Sequence, residues 1–190
     1  KIYPLLTYFF SDISLDEKLF SKVKSVFDHQ KDLKLTSEET MLLDKHYKSF
    51  ARNGALLSEK DKETLRKIDQ ELSVLAPKFS ENVLKATNKF ELWITDVQDL
   101  AGLPEGVIEA AKATAKEKGK ENAWFFGLQM PSMLPFMTYA KNRTLREKLW
   151  RASSSKAFKD EFNNTDNILK IVQLRHQRAQ LLGSPTHADF

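Results

Sequence analysis

Apolar and polar positions along the chain follow a helical period over most of its length and an extended one in two short places. Leu19, Val23, Val26 and Phe27 recur at steps of three and four, the spacing that lines one face of an α-helix. Ser14 and Glu17 precede them in the S-x-x-E order of a capping box, which sets the expected helix start. Thr36 and Glu39 repeat the signal ahead of Leu43, Tyr47 and Phe50, and Asn53-Gly54 supplies a terminus that tolerates positive φ. From Ser58 onward Leu65, Ile68, Leu72, Leu75, Phe79, Val83, Ala86 and Phe90 form one stripe, about eight turns or roughly 40 Å long. Pro77 falls inside that stripe and is expected to kink the helix or split it, because it lacks a backbone donor.

Beyond Phe90 the period changes. Phe90, Leu92 and Ile94 alternate, as do Trp124, Phe126, Leu128 and Met130, predicting two short paired strands. Between them Pro104 and Glu105 open a helix that Lys116, Lys118 and Gly119 close, each end complementing the helix dipole. Pro131 and Pro135 are read as bracketing a turn, with a helix from Phe136 that continues or restarts near Asn142 through Leu145, Leu149 and Ala152. Ser153 to Ser155 and Phe158 to Asn164 read as loop. Asn164 or Thr165 caps a further helix ending at Gly183, and a new helix is expected after Pro185. A chain that stops in the first turn of a helix is expected to continue beyond Phe190 in its parent. The fold class that emerges is mainly α: a multi-helix domain with one long helix, Pro-kinked or split, and a small two-stranded β unit. Residues 1–190 are taken as a single helical domain.

Composition supports helices. Only 6 glycines and 6 prolines occur in 190 residues, and 41% of positions are hydrophobic against 29% charged, a globular balance with few turn-formers. Cysteine is absent, which excludes disulfides, thiolate metal sites and a cysteine nucleophile in this segment. The net charge of +4 comes from interspersed rather than clustered lysines, so neither a nucleic-acid partner nor a membrane is expected. No apolar run approaches the length of a bilayer span, and the opening residues do not have the form of a signal peptide.

The residues capable of chemistry do not gather. None of His29, His46, His176 and His187 has a second histidine at i+3 or i+4, and no H-E-x-x-H helix, phosphate loop or nucleophile elbow occurs. Each histidine reads as a surface or partly buried side chain. Arg175, His176 and Arg178 could present a cationic face, read here as solvated helix surface. Trp124-Phe125-Phe126 is read as core packing rather than a base-stacking platform. Lys112, Lys116, Lys118 and Lys120, with Glu117 and Glu121 among them, are read as a solvated helix end.

Five segments in register carry a resemblance. Phe79-Ser80-Glu81-Asn82-Val83-Leu84 is followed by Leu100-Ala101-Gly102-Leu103-Pro104, then Leu134-Pro135-Phe136-Met137-Thr138-Tyr139-Ala140. Asn142-Arg143 with Arg146-Glu147-Lys148 comes next, and last Leu174-Arg175-His176 with Ala179 and Leu181-Leu182-Gly183. Their order resembles the N-terminal half of the thimet oligopeptidase and peptidyl-dipeptidase family of zinc metallopeptidases, nearest its oligopeptidase A and dipeptidyl carboxypeptidase branch. The resemblance implies a helical two-lobed enzyme with a channel admitting short unfolded peptides. It also implies one zinc held by H-E-x-x-H and a later glutamate, whose bound water attacks the peptide carbonyl. Those zinc residues follow the matched segment, so no catalytic, cofactor-binding or metal residue is carried onto this chain. The expectation is a non-catalytic part of the channel wall in the N-terminal lobe, binding no zinc itself. Its partners would be short peptides and the remainder of the same chain, in the cytoplasm, with the periplasm as the alternative. A non-enzymatic helical interaction module is the alternative.

Overall fold

The computed structural model describes residues 2–190. These form eight α-helices and one two-stranded antiparallel sheet, the mainly α fold that the patterning predicts. The chain falls into two compact units, one running to Lys78 and resuming at Asn167–Phe190, the other spanning Phe79–Asp166. No helix of the described residues is long and apolar enough to cross a membrane.

The first unit opens with α1 (Tyr3–Ser14) and α2 (Glu17–Asp28). Here the expected capping box is corrected. Ser14 lies in the last turn of α1, a helix the periodicity did not reveal, and Asp16 caps α2 by accepting from the Leu19 amide at 2.7 Å. The next cap stands as expected on α3 (Ser37–Arg52): Glu39 N–H donates to Thr36 Oγ1 at 3.2 Å while Thr36 N–H donates to Glu39 Oε2 at 2.8 Å. That backbone donor holds the Glu39 carboxyl below its ordinary range. Helices α2 and α3 meet through aromatic rings, with Phe27 stacked on Tyr47 at 3.9 Å and Phe20 set 5.8 Å from both Tyr47 and Phe50.

The long helix α4 (Glu59–Lys89) is 31 residues and runs unbroken through Pro77. The expected split is therefore corrected. Leu65 and Ile68 are buried along its first part, and the Asn167 amide, on α8 (Thr165–Leu181), donates to the Leu75 carbonyl at 3.1 Å just before the proline. Arg178 of α8 donates to Asp69 at 2.7 Å. No helix follows Pro185: Thr186 donates through its amide and hydroxyl to Asp189 at 3.1 and 2.6 Å, and that local carboxylate bond holds a turn in place of the expected helix.

The second unit is built on a hairpin. β1 (Leu92–Ile94) pairs antiparallel with β2 (Trp124–Phe126), with Leu92 opposite Phe126, Trp93 opposite Phe125 and Ile94 opposite Trp124. Leu92, Ile94 and Phe126 turn inward and join Leu100, Leu103, Phe136 and Leu149 in one core, while Trp93 and Phe125 take the opposite face, as the period of two requires. Both strands are shorter than the alternation predicts. Leu128 lies beyond β2 and Met130 begins α6 (Met130–Tyr139), because Pro131 suits the first turn of a helix, where its missing donor is not needed. Pro135 sits inside α6 rather than closing a turn before it. A 3₁₀ turn at Val97–Leu100 follows β1, and α5 (Glu105–Glu117) and α7 (Arg143–Ser154) complete the unit. Ser153 and Ser154 belong to α7, not to the loop that follows.

Lys62 is the buried charge of the first unit. Its side chain is 3% exposed and reaches Glu59 at 2.7 Å and Glu17 at 3.2 Å. Burial pulls its ammonium down, but the two carboxylate bonds and their charge outweigh it, and the net displacement is upward. A raised lysine value means stability that is complete below the unfolded value and lost as pH rises through the folded one. We predict that Lys62→Met costs about 1 kcal/mol, the exposure of both glutamates weakening the bonds. In urea denaturation the difference from wild type should hold from neutral pH through the ordinary lysine range and shrink only above it.

Candidate functional site

The histidines stand apart. His29 closes α2 and bonds the Ser25 carbonyl at 2.8 Å, His46 lies on α3, His176 on α8 and His187 in the C-terminal turn, all exposed. Among the described residues no three His, Asp or Glu side chains come together as a metal set. The cationic face of Arg175, His176 and Arg178 does not form either, since Arg178 is drawn onto Asp69 and lies 5.0 Å from the Phe190 ring.

What the second unit does assemble is a cation–aromatic cluster beside a groove. On the outer face of the hairpin Trp93 meets Phe125 edge to face at 5.0 Å. Lys118 lies 4.5 Å over Phe125 and Lys120 4.0 Å over Trp93. Glu91 completes the group, accepting from Lys118 at 3.0 Å and from the Trp93 indole at 3.0 Å. The Lys118 bond, then the indole, holds its carboxyl below the ordinary range. These two lysines, read from sequence as solvated, instead cover aromatic rings. The signal lay in the register that sets Trp93 beside Phe125, which one strand viewed alone does not show. Trp124 and Phe126 point the other way, into the core as expected.

Phe125 also borders a groove of about 440 Å³. Val107, Ala110 and Thr114 of α5 form one wall, and Gln129, Pro131 and Ser132 at the start of α6 form the other. Ser132 Oγ accepts from the Gly127 amide at 3.1 Å. The lining carries no titratable side chain, so the groove can hold an apolar segment but has no group with which to move a proton.

Comparison with known proteins shows what the chain resembles. Residues 136–190 match peptidase family M3. The chain is 37% identical over 177 residues to an organellar oligopeptidase A (chloroplastic/mitochondrial) of Arabidopsis thaliana, covering 90% of the chain and 22% of that protein. It is 34% identical to a probable cytosolic oligopeptidase A of the same plant, covering all of the chain and 28% of that protein. The dipeptidyl carboxypeptidase of Escherichia coli K12 is also 34% identical, over 95% of the chain and 27% of its own length. Over at least 90% of its own length the chain is similar to these peptidases. It spans about a quarter of the length of the curated relatives it matches.

Three of the segments that carry the M3 resemblance meet within the second unit, at Gly102. This glycine has φ +91, and a Cβ built there would stand 2.4 Å from the Tyr139 carbonyl oxygen. The Lys141 amide donates to the Ala101 carbonyl at 2.8 Å, and Asn142, which caps α7 by accepting from Leu145, donates to Asp99 at 2.7 Å. Arg146 donates to the Ala140 carbonyl. Elsewhere in the unit Asn164 is buried, accepting from Asn82 at 2.9 Å and donating to the Phe79 carbonyl at 3.1 Å. The M3-like residues of this unit thus serve turns, caps and backbone approach.

Gly102 and Gly119 separate two effects. Both have positive φ, but nothing lies within 4 Å of a Cβ at Gly119. Gly119→Ala should cost about 1 kcal/mol, the backbone strain alone. Gly102→Ala adds a clash with fixed backbone and should cost at least about 3 kcal/mol. Chemical denaturation of the two variants measures the difference, and equal losses would show that the close approach at Tyr139 does not matter.

Proposed function

We propose that this chain forms part of a peptide-channel wall in the N-terminal lobe of a zinc-dependent M3 oligopeptidase or peptidyl-dipeptidase, and does not itself cleave peptides. The observation that carries the reading is the identity of 34% and above, along at least 90% of the chain, to proteins named oligopeptidase A and dipeptidyl carboxypeptidase. The groove beside α5 supports it, being shaped to bind without acid–base groups in its lining. On this reading the zinc and the water it activates are held by residues outside these 190. The chain's partners are then short unfolded peptides and the rest of its own polypeptide. A cytoplasmic setting is supported by the cytosolic relative in Arabidopsis.

A purified sample of the 190-residue protein, supplied with zinc and a short quenched-fluorescent peptide, should show no hydrolysis above the metal-only blank. Cleavage that a chelator abolishes and zinc restores would place a catalytic centre within these residues and refute the proposal.

A further inference from the structure

The turn that closes α3 holds the one Asn-Gly pair in the sequence, Asn53-Gly54, and Asn53 is exposed. Such a pair can react with itself. The Gly54 backbone nitrogen attacks the side-chain carbonyl carbon of Asn53, a C–N bond forms, ammonia leaves, and a five-membered succinimide remains. Water then opens that ring at either carbonyl, giving aspartate or isoaspartate. Glycine favours the first step because no Cβ hinders the approach of its nitrogen. The reaction consumes only water, so it needs no partner.

In the folded chain both reacting groups are occupied. Gly54 follows the helix at a φ of +92°. Its amide donates to the Ala51 carbonyl at 3.1 Å, and the Ala55 amide donates to the Phe50 carbonyl at 3.0 Å, the two bonds that close a helix on a left-handed glycine. The nucleophile is thus held through its proton. The leaving group is held as well, since the Asn53 side-chain amide donates to the Ser49 carbonyl at 2.8 Å. Ring closure requires the Gly54 nitrogen to eclipse the Asn53 Cβ about the Cα–C bond. At the observed ψ of 12° it is swung well away from that position, and turning it back breaks the closing bonds. Gly54 is also seated on the buried Leu65, whose Cδ2 would stand 2.6 Å from a Cβ built at the glycine.

We propose that Asn53 is a deamidation site gated by the last turn of α3, closed while the turn is formed and reactive when it opens. The step is one-way for the fold. An isoaspartate inserts a methylene into the main chain beside the tightly seated Gly54, and either product sets a carboxylate at the negative end of the helix dipole.

Peptide-level mass spectrometry tests this by following deamidation at Asn53 in the 190-residue protein and in a synthetic peptide of residues 47–60. At neutral pH the folded chain should react at least about tenfold more slowly than the peptide, because opening the turn breaks several backbone hydrogen bonds. In concentrated urea the two rates should converge. Asn53→Asp, which carries the charge of the product, should speed hydrogen exchange at the Gly54 and Ala55 amides. A folded chain that deamidates as fast as the peptide overturns the proposal, as does slow reaction that persists in urea. Unchanged exchange in Asn53→Asp would overturn the claim that the reacted turn stays open.

Discussion

Phe126 and Phe136 meet edge to face at 4.6 Å, both with almost no surface left to solvent, and the second unit is arranged around that contact. One ring comes from β2 and the other from α6. Placing Phe126 inward fixes the register of the hairpin, because a slip of one residue would exchange every inward side chain for an outward one. Trp93 and Phe125 are then forced to the outer face, where two fully exposed aromatics would be costly. Lys118 and Lys120, at and just beyond the C-terminus of α5, reach across and cover them. The cation–aromatic face is in this sense a consequence of the core.

The same logic gives the M3-like segments a physical meaning. Leu100-Ala101-Gly102-Leu103-Pro104 turns the chain from the 3₁₀ segment into α5 while burying Leu100 and Leu103. The turn brings Gly102 against the backbone at Tyr139, an approach open only to a residue without a side chain. Leu134 to Ala140 supplies that backbone and the buried Phe136. Asn142 then caps α7 with one side-chain atom and bonds Asp99 with another. The segments that carry the resemblance are therefore legible as a set of joints within the second unit.

Much of this was readable from the residues. The capping box at Thr36 and Glu39, the span of α5 between Pro104 and Gly119 and the pairing of two strands all follow from local patterns that tertiary contacts did not override. The failures are equally local in cause. Helix α1 escaped notice because its apolar residues surround most of its circumference, leaving no clear period. Asp16 displaced Ser14 as a cap because the preceding helix had already taken the serine. Pro77 was expected to kink or split its helix and Pro135 to bracket a turn, whereas each lies inside an uninterrupted helix. The lysine cover over Trp93 and Phe125 joins residues far apart in sequence, and no spacing rule exposes it.

For function, the proposed reading is a wall that holds peptide, with the chemistry supplied by residues beyond it. The most direct test is the coding DNA that follows codon 190, translated in frame. The account predicts an open frame carrying an H-E-x-x-H helix and a later glutamate. A stop codon close behind Phe190, or a long continuation without that motif, would contradict it.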